Sequence, residues 1–228
     1  MGRDYRLVVE PPEAPDPAGD GPAAGASDIP TSGGQYFDAQ PKVKSRPATV
    51  VLPLPDLTLT LRTDRGVFAK DEVDPGTRVL LSEPIEPAAS GTILDLGCGY
   101  GPIAVTLARR RPGATVWAVD INRRALDLCA QNAADAGLGN VSVFEPNDVP
   151  DGPIDEIWSN PPIRIGKSAL HDLLDQWLGR LSPGGRALLV VQKHLGSDSL
   201  HAWLNETGRP TRRVVSRRAY RILEVRPA

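Results

Sequence analysis

A chain of 228 residues, 40% of them apolar, is long enough to bury one ample core and too short for several large domains. The formal net charge of -2 hides an uneven distribution: the first 30 residues set Arg3 and Arg6 against six acids, and the last 20 hold seven arginines against Glu224 alone, which suits an anionic partner near the C-terminus. Cys98 and Cys129 have no Cys or His neighbours at metal-ligand spacing, so no metal is expected. The longest apolar run, residues 187–191, is far too short for a bilayer span, and the expectation is a soluble, cytoplasmic protein with no membrane partner.

Residues 1–34 are rich in Pro, Gly, Ala and Asp and lack the large apolar groups that offset ordering entropy, so they are expected to form a disordered tail. Order is expected from Gln35-Tyr36-Phe37 onward. Val50-Val51-Leu52 and the alternating residues 57–61, parted by Pro53 and Pro55, predict a β-hairpin. Asp74-Pro75 opens a short helix over Val79, Leu80 and Leu81, since proline suits the first helical turn. Residues 35–82 therefore form an N-terminal hairpin and helix, and residues 83–228 the main domain.

Past Gly91 the pattern alternates strand and helix, the mark of an α/β fold with a mostly parallel sheet and helices on both faces. Strands are predicted at residues 92–96, 115–119, 141–144, 154–158 and 186–192. Helices are predicted at 101–110, from the Asn122 cap to Gly137, over Leu170, Leu173, Leu174, Trp177, Leu178 and Leu181 up to Pro183-Gly184-Gly185, and around Leu200 and Leu204. The last two runs, 212–216 and 220–225, are joined so tightly that they must pair antiparallel.

In such sheets ligands sit beyond the carboxyl ends of the strands, where the loop Asp95-Leu96-Gly97-Cys98-Gly99-Tyr100-Gly101 stands. Its D-x-G-x-G-x-G spacing differs from the G-x-G-x-x-G that admits a pyrophosphate. An acid at Asp95 fits a cationic ligand, and S-adenosylmethionine carries both an ammonium and a sulfonium. Asp120, with Ile121 beside it, ends the second strand of the main domain, where a carboxylate can accept ribose hydroxyls. Asp148 follows the third strand within reach of an adenine amine. Taken singly, Asp120 and Asp148 also read as ordinary turn acids.

Asn160-Pro161-Pro162-Ile163 ends the fourth main-domain strand. Prolines fix φ and remove donors, so the corner is stiff and presents acceptors. If the Asn160 side-chain oxygen and the Pro161 carbonyl each accept one N–H of a planar amine, its lone pair is turned toward the donor methyl, and transfer proceeds by orientation and electrostatic stabilisation.

Together these motifs resemble the class I S-adenosylmethionine-dependent methyltransferases, and within them the small-subunit (16S) ribosomal RNA guanine-N2 methyltransferase family. The likeness runs from Tyr36 to Val225 and is carried by Tyr36-Phe37, Thr63-Asp64-Arg65-Gly66-Val67-Phe68, Val73-Asp74-Pro75-Gly76-Thr77, the glycine loop, and Asn160-Pro161-Pro162-Ile163-Arg164-Ile165-Gly166-Lys167. The resemblance implies a Rossmann-like seven-stranded sheet with its last strand antiparallel and S-adenosylmethionine, leaving as S-adenosylhomocysteine, on the glycine loop. It also implies a guanine amine at Asn160, and ribosomal RNA or the small ribosomal subunit as partner. Where many relatives have an aromatic residue after the second proline this chain has Ile163, so the base would rest on an aliphatic face or on Phe68, which also reads as a clamp for the hairpin. The larger relatives carry a degenerate domain in front, and here RNA would be gripped by Arg164 and Lys167, by Lys42, Lys44 and Arg46, or by the arginine-rich end.

Three other readings share parts of this pattern. Protein glutamine-N5 and DNA adenine-N6 methyltransferases act on similar planar amines, and a non-catalytic RNA-binding module would keep the fold without the chemistry.

Overall fold

The computed structural model describes residues 41–228; the expected tail over residues 1–34 and the onset of order at Gln35-Tyr36-Phe37 lie outside the described residues. Strands β1 (Ala48–Pro53) and β2 (Thr58–Thr63) pair antiparallel with Val50 facing Leu61 and Leu52 facing Leu59. Their alternation buries one face only, against helix α3 (Arg123–Asp135) and its surroundings. The hairpin is anchored by a side chain that mimics a strand: Asn132 of α3 accepts the Arg62 N–H at 2.7 Å and donates to the Arg62 carbonyl at 3.0 Å and the Tyr100 carbonyl at 2.8 Å.

Helix α1 (Pro75–Ser82) begins where expected, capped by Asp74, whose carboxylate accepts the Thr77 N–H. The main sheet then follows as β3 (Gly91–Leu96), β4 (Ala114–Val119), β5 (Val141–Phe144), β6 (Ile154–Ser159), β7 (Leu181–Gln192), β8 (Thr211–Arg217) and β9 (Tyr220–Val225), in spatial order β5-β4-β3-β6-β7-β9-β8. All pairs are parallel except those of β9, which runs antiparallel to both β7 and β8.

Both faces are covered. Helices α1, α2 (Pro102–Arg110) and α3 join the hairpin in one apolar core, while α4 (Lys167–Leu178) and α5 (Ser197–Glu206) pack on the opposite face. Adjacent residues divide between the two cores, Ile93 to one side and Leu94 to the other, which is why the strands read as continuous apolar runs.

One element differs from its sequence pattern. Leu181 falls in phase with the helical repeat before it, yet α4 stops at Leu178, where Gly179 donates back to the Asp175 carbonyl. Leu181 instead opens β7 opposite Ile154, and since Glu156 faces Arg186, residues 182–185 bulge out of the ladder. Pro183-Gly184-Gly185 is thus a strand irregularity rather than a helix terminator.

Candidate active site

A cavity of about 250 Å³ opens at the carboxyl ends of β3, β4 and β6. Gly97, Cys98, Gly99 and Tyr100 form one wall, Asp120, Ile121 and Asn122 a second, and Asn160 with Pro162 a third. Phe68 and Ala69, from the segment after the hairpin, stand at the mouth. Because β6 pairs directly with β3, Asn160 and the glycine loop border the same space.

The loop is pinned from below. Gly97 and Cys98 both donate to the Val119 carbonyl, at 2.8 and 2.9 Å, and Gly99 donates to Asp120 Oδ2 at 2.9 Å. Gly97 and Gly99 have positive φ, and a Cβ on either would meet nothing within 4 Å, so their hydrogens leave the wall open. Gly101 is needed for a different reason: a Cβ there would lie 2.6 Å from the Cys129 sulfur, so only glycine lets the loop close on α3.

Asp120 also accepts the Asn122 N–H at 2.9 Å, and burial pushes its carboxyl up from the ordinary aspartate range. Asn122 caps α3 and donates to the Gly66 carbonyl at 2.7 Å, fixing the segment that carries Phe68. Tyr100 completes that support by donating to the carbonyl of Ala69, a residue held at a φ of 55°. Phe68 itself is 49% exposed.

Asp95 lies beneath the pocket rather than on its wall. It is fully buried, accepts the Ala104 N–H at 2.9 Å through Oδ2, and leaves Oδ1 without a partner among the described residues. Burial pushes its carboxyl up to about 8, the Ala104 bond opposing and the nearby Asp120 charge adding.

Asn160 is held by its nitrogen. Its Nδ2 donates to Asp74 Oδ1 at 2.7 Å and to Thr77 Oγ1 at 3.0 Å. A carboxylate cannot donate, so this pairing fixes which end of the amide is which and leaves Oδ1 as a free acceptor on a residue of the cavity wall. Pro161, expected to face the cavity with its carbonyl, is buried and does not line it as Asn160 and Pro162 do; that carbonyl accepts the Ile163 N–H at 2.8 Å. Ile163 packs against the core on the α4 side, and Ile165 takes a place on the pocket wall. Arg164 and Lys167 are exposed beside this corner, whereas Asp148 is exposed on the turn after β5 and does not line the cavity, although its neighbour Pro146 does.

Asp74, Thr77, Tyr100, Leu173 and Trp177 also line the cavity without having been singled out for it from the sequence. Asp74-Pro75 carried a helix-start signal that hid its second use. Trp177 and Leu173 sit on an ordinary amphipathic helix with no local sign of a ligand.

The arginine-rich end is largely engaged in ion pairs within the protein. Arg209 pairs with Asp175, Arg212 and Arg226 with Glu224, Arg217 with Glu83, and Arg213 and Arg221 with Asp198. Four acids, one of them Glu224 within the same run, pair with six of its seven arginines and fasten β8 and β9 to the domain.

Residues 58–224 match the family model of the methyltransferase small domain. The chain belongs to that family. This small-domain methyltransferase is 34% identical over 195 residues to the uncharacterized protein YbxB of Bacillus subtilis, a match covering 84% of this chain and 97% of that one. It is 33% identical over 150 residues to ribosomal RNA small subunit methyltransferase C of Shewanella amazonensis, covering 63% of this chain and 43% of that protein. A solved T. thermophilus 16S rRNA N2 G1207 methyltransferase, in complex with AdoMet and guanosine, superposes with a TM-score of 0.69 at 23% identity, covering 82% of this chain and 52% of that one. The chain thus spans about half the length of the two ribosomal RNA methyltransferases and nearly all of YbxB. Its class I S-adenosylmethionine-dependent methyltransferase fold, with the resemblance to 16S guanine-N2 enzymes, agrees with the reading from the two motifs.

Proposed function

We propose that this protein transfers the methyl group of S-adenosylmethionine to the exocyclic N2 of a guanine in 16S ribosomal RNA. The observation that carries the reading is the Asn160 amide, anchored through its nitrogen to Asp74 and Thr77 on a wall of the cavity that the glycine loop also borders.

The cavity suits the donor. Gly97 and Gly99 keep one wall bare, and Asp120 offers a carboxylate for ribose hydroxyls. Ile121, 42% exposed, offers an apolar surface to a purine ring. Bound S-adenosylmethionine supplies an electrophilic methyl; the protein supplies orientation. Asn160 Oδ1 accepts one amine N–H; the other is assigned to the Pro161 carbonyl, which keeps a second lone pair beyond its bond to Ile163 and must turn from its buried position to use it. An amine so held has its lone pair turned to the methyl, and both acceptors stabilise positive charge growing on nitrogen. Pro162 and Ile163 hold the corner in shape, and Phe68 is placed to stack on the base.

RNA contact is supported by a set of exposed cations at the same end of the sheet: Arg164 and Lys167 after β6, Lys193 after β7, and Arg218 in the β8–β9 turn, where the Lys193 N–H meets the Ala219 carbonyl. None has an acidic partner among the described residues, in contrast to the six paired arginines named above. Phosphates suit such groups, and the target base would have to leave its stack to reach the cavity.

The test is an acceptor survey: methyl-labelled donor incubated with naked 16S rRNA, 30S subunits, release factor and DNA. Label is expected in RNA as N2-methylguanosine. Label confined to protein or to adenine contradicts the proposal.

A further inference from the structure

Both hydrogen bonds accepted by the Asp74 carboxylate fall on one oxygen. Oδ1 takes the Thr77 N–H at 3.0 Å, which caps α1, and Asn160 Nδ2 at 2.7 Å. Oδ2 takes none among the described residues, although Asp74 is half-buried and lines the cavity next to Asn160. The surrounding wall is largely apolar, with Leu96, Ile103, Val119 and Trp177 among its members. Oδ2 is not sealed within the protein, so it keeps its acceptor capacity for a donor that arrives with a ligand.

We infer that Asp74 Oδ2 is the specificity determinant of this site, accepting a ring N–H adjacent to the amine that is methylated. The inference rests on the guanine-N2 reading and narrows it to a chemical class. Guanine presents N1–H and N2–H side by side, so Asn160 Oδ1 and Asp74 Oδ2 read two neighbouring donors. Adenine N1 and the carbonyl of a glutamine amide put an acceptor where guanine has N1–H, and a carboxylate repels an acceptor. A site built to receive a hydrogen rejects a ligand that lacks it far more strongly than an apolar pocket rejects a misfit. The same residue therefore positions Asn160 with one oxygen and selects the base with the other.

Asp74→Asn separates the two roles. Asparagine is as good a helix cap as aspartate, and its Oδ1 keeps both bonds while its NH2 replaces the bare oxygen. The probes are guanosine and 2-aminopurine riboside, which share the 2-amine and differ in the N1 proton, bound to protein loaded with S-adenosylhomocysteine. Binding of 2-aminopurine riboside is followed by its own fluorescence and that of guanosine by competition. The wild-type protein is expected to prefer guanosine by at least about tenfold, and Asp74→Asn to erase or invert that preference while donor binding persists. Equal wild-type affinities, binding of neither nucleoside, or a preference unmoved by the substitution overturns the assignment. Label found in adenine or glutamine in the acceptor survey overturns the guanine reading instead, and N2-methylguanosine formed without nucleoside discrimination overturns only the role of Asp74.

Discussion

Asn160 Nδ2 stands 2.7 Å from Asp74 Oδ1, so the end of β6 is tied to the first turn of α1 across 86 residues of sequence. The helix that follows the hairpin is thereby part of the candidate site. Thr77 shares the load through its hydroxyl at 3.0 Å.

Thr77→Val removes that hydroxyl with little change of shape and frees the Asn160 amide to tilt. The expected result is a kcat lower by about tenfold with donor affinity unchanged, the pattern of a lost orienting contact. Steady-state kinetics with donor titration measures both.

Asn132 holds three backbone groups at once: the Arg62 N–H and carbonyl and the Tyr100 carbonyl. Asn132→Leu strands all three in a buried setting and is expected to destabilise the protein by about 3 kcal/mol, read by urea denaturation. Donor binding should weaken as well, since Tyr100 is part of the glycine loop.

The unpaired and paired cations are expected to behave differently toward RNA. Arg164→Ala or Lys167→Ala should each lower the slope of log affinity against log salt by about one, the signature of one lost phosphate contact. Arg212→Ala, whose guanidinium faces Glu224, should leave that slope unchanged. Filter binding of 16S rRNA across a salt series distinguishes the two.

Asp95 sets a pH dependence of stability. Its folded-state pKa of about 8 lies above the ordinary aspartate value of 3.8, so between those limits the unfolded chain loses a proton that the folded one retains. The stabilisation is therefore complete below about pH 4 and is lost as pH rises toward 8, by up to about 1.4 kcal/mol per pH unit. Asp95→Asn should flatten that part of the profile in the donor-free protein, measured by denaturant titration from pH 5 to pH 8.

What the sequence made legible was what local chemistry dictates. The alternation of residues 57–61, the Asn122 cap and the apolar runs of β3 to β7 each specify their element through contacts a few residues away, and the structure places them accordingly. Gly97, Gly99, Asp120 and Asn160 meet around one cavity because strand order is enough to predict that they share a sheet end. Leu181 misled because a helical repeat continued by chance into a strand. Asp74 was read as part of a helix start and of a family-like segment, with no role at the site, since its bond to Asn160 exists only after α1 has packed beside β6. The ion pairs of the arginine-rich end were not legible because three of the acids, Glu83, Asp175 and Asp198, lie outside that run in sequence.

The most direct test of the chemistry at the Asn-Pro-Pro corner is single-turnover methyl transfer to 16S rRNA by Asn160→Ala with donor affinity measured on the same sample. Donor should bind as in the wild type while N2-methylguanosine formation falls to background. Transfer at the wild-type rate would contradict the assignment of Asn160 as the group that holds the amine.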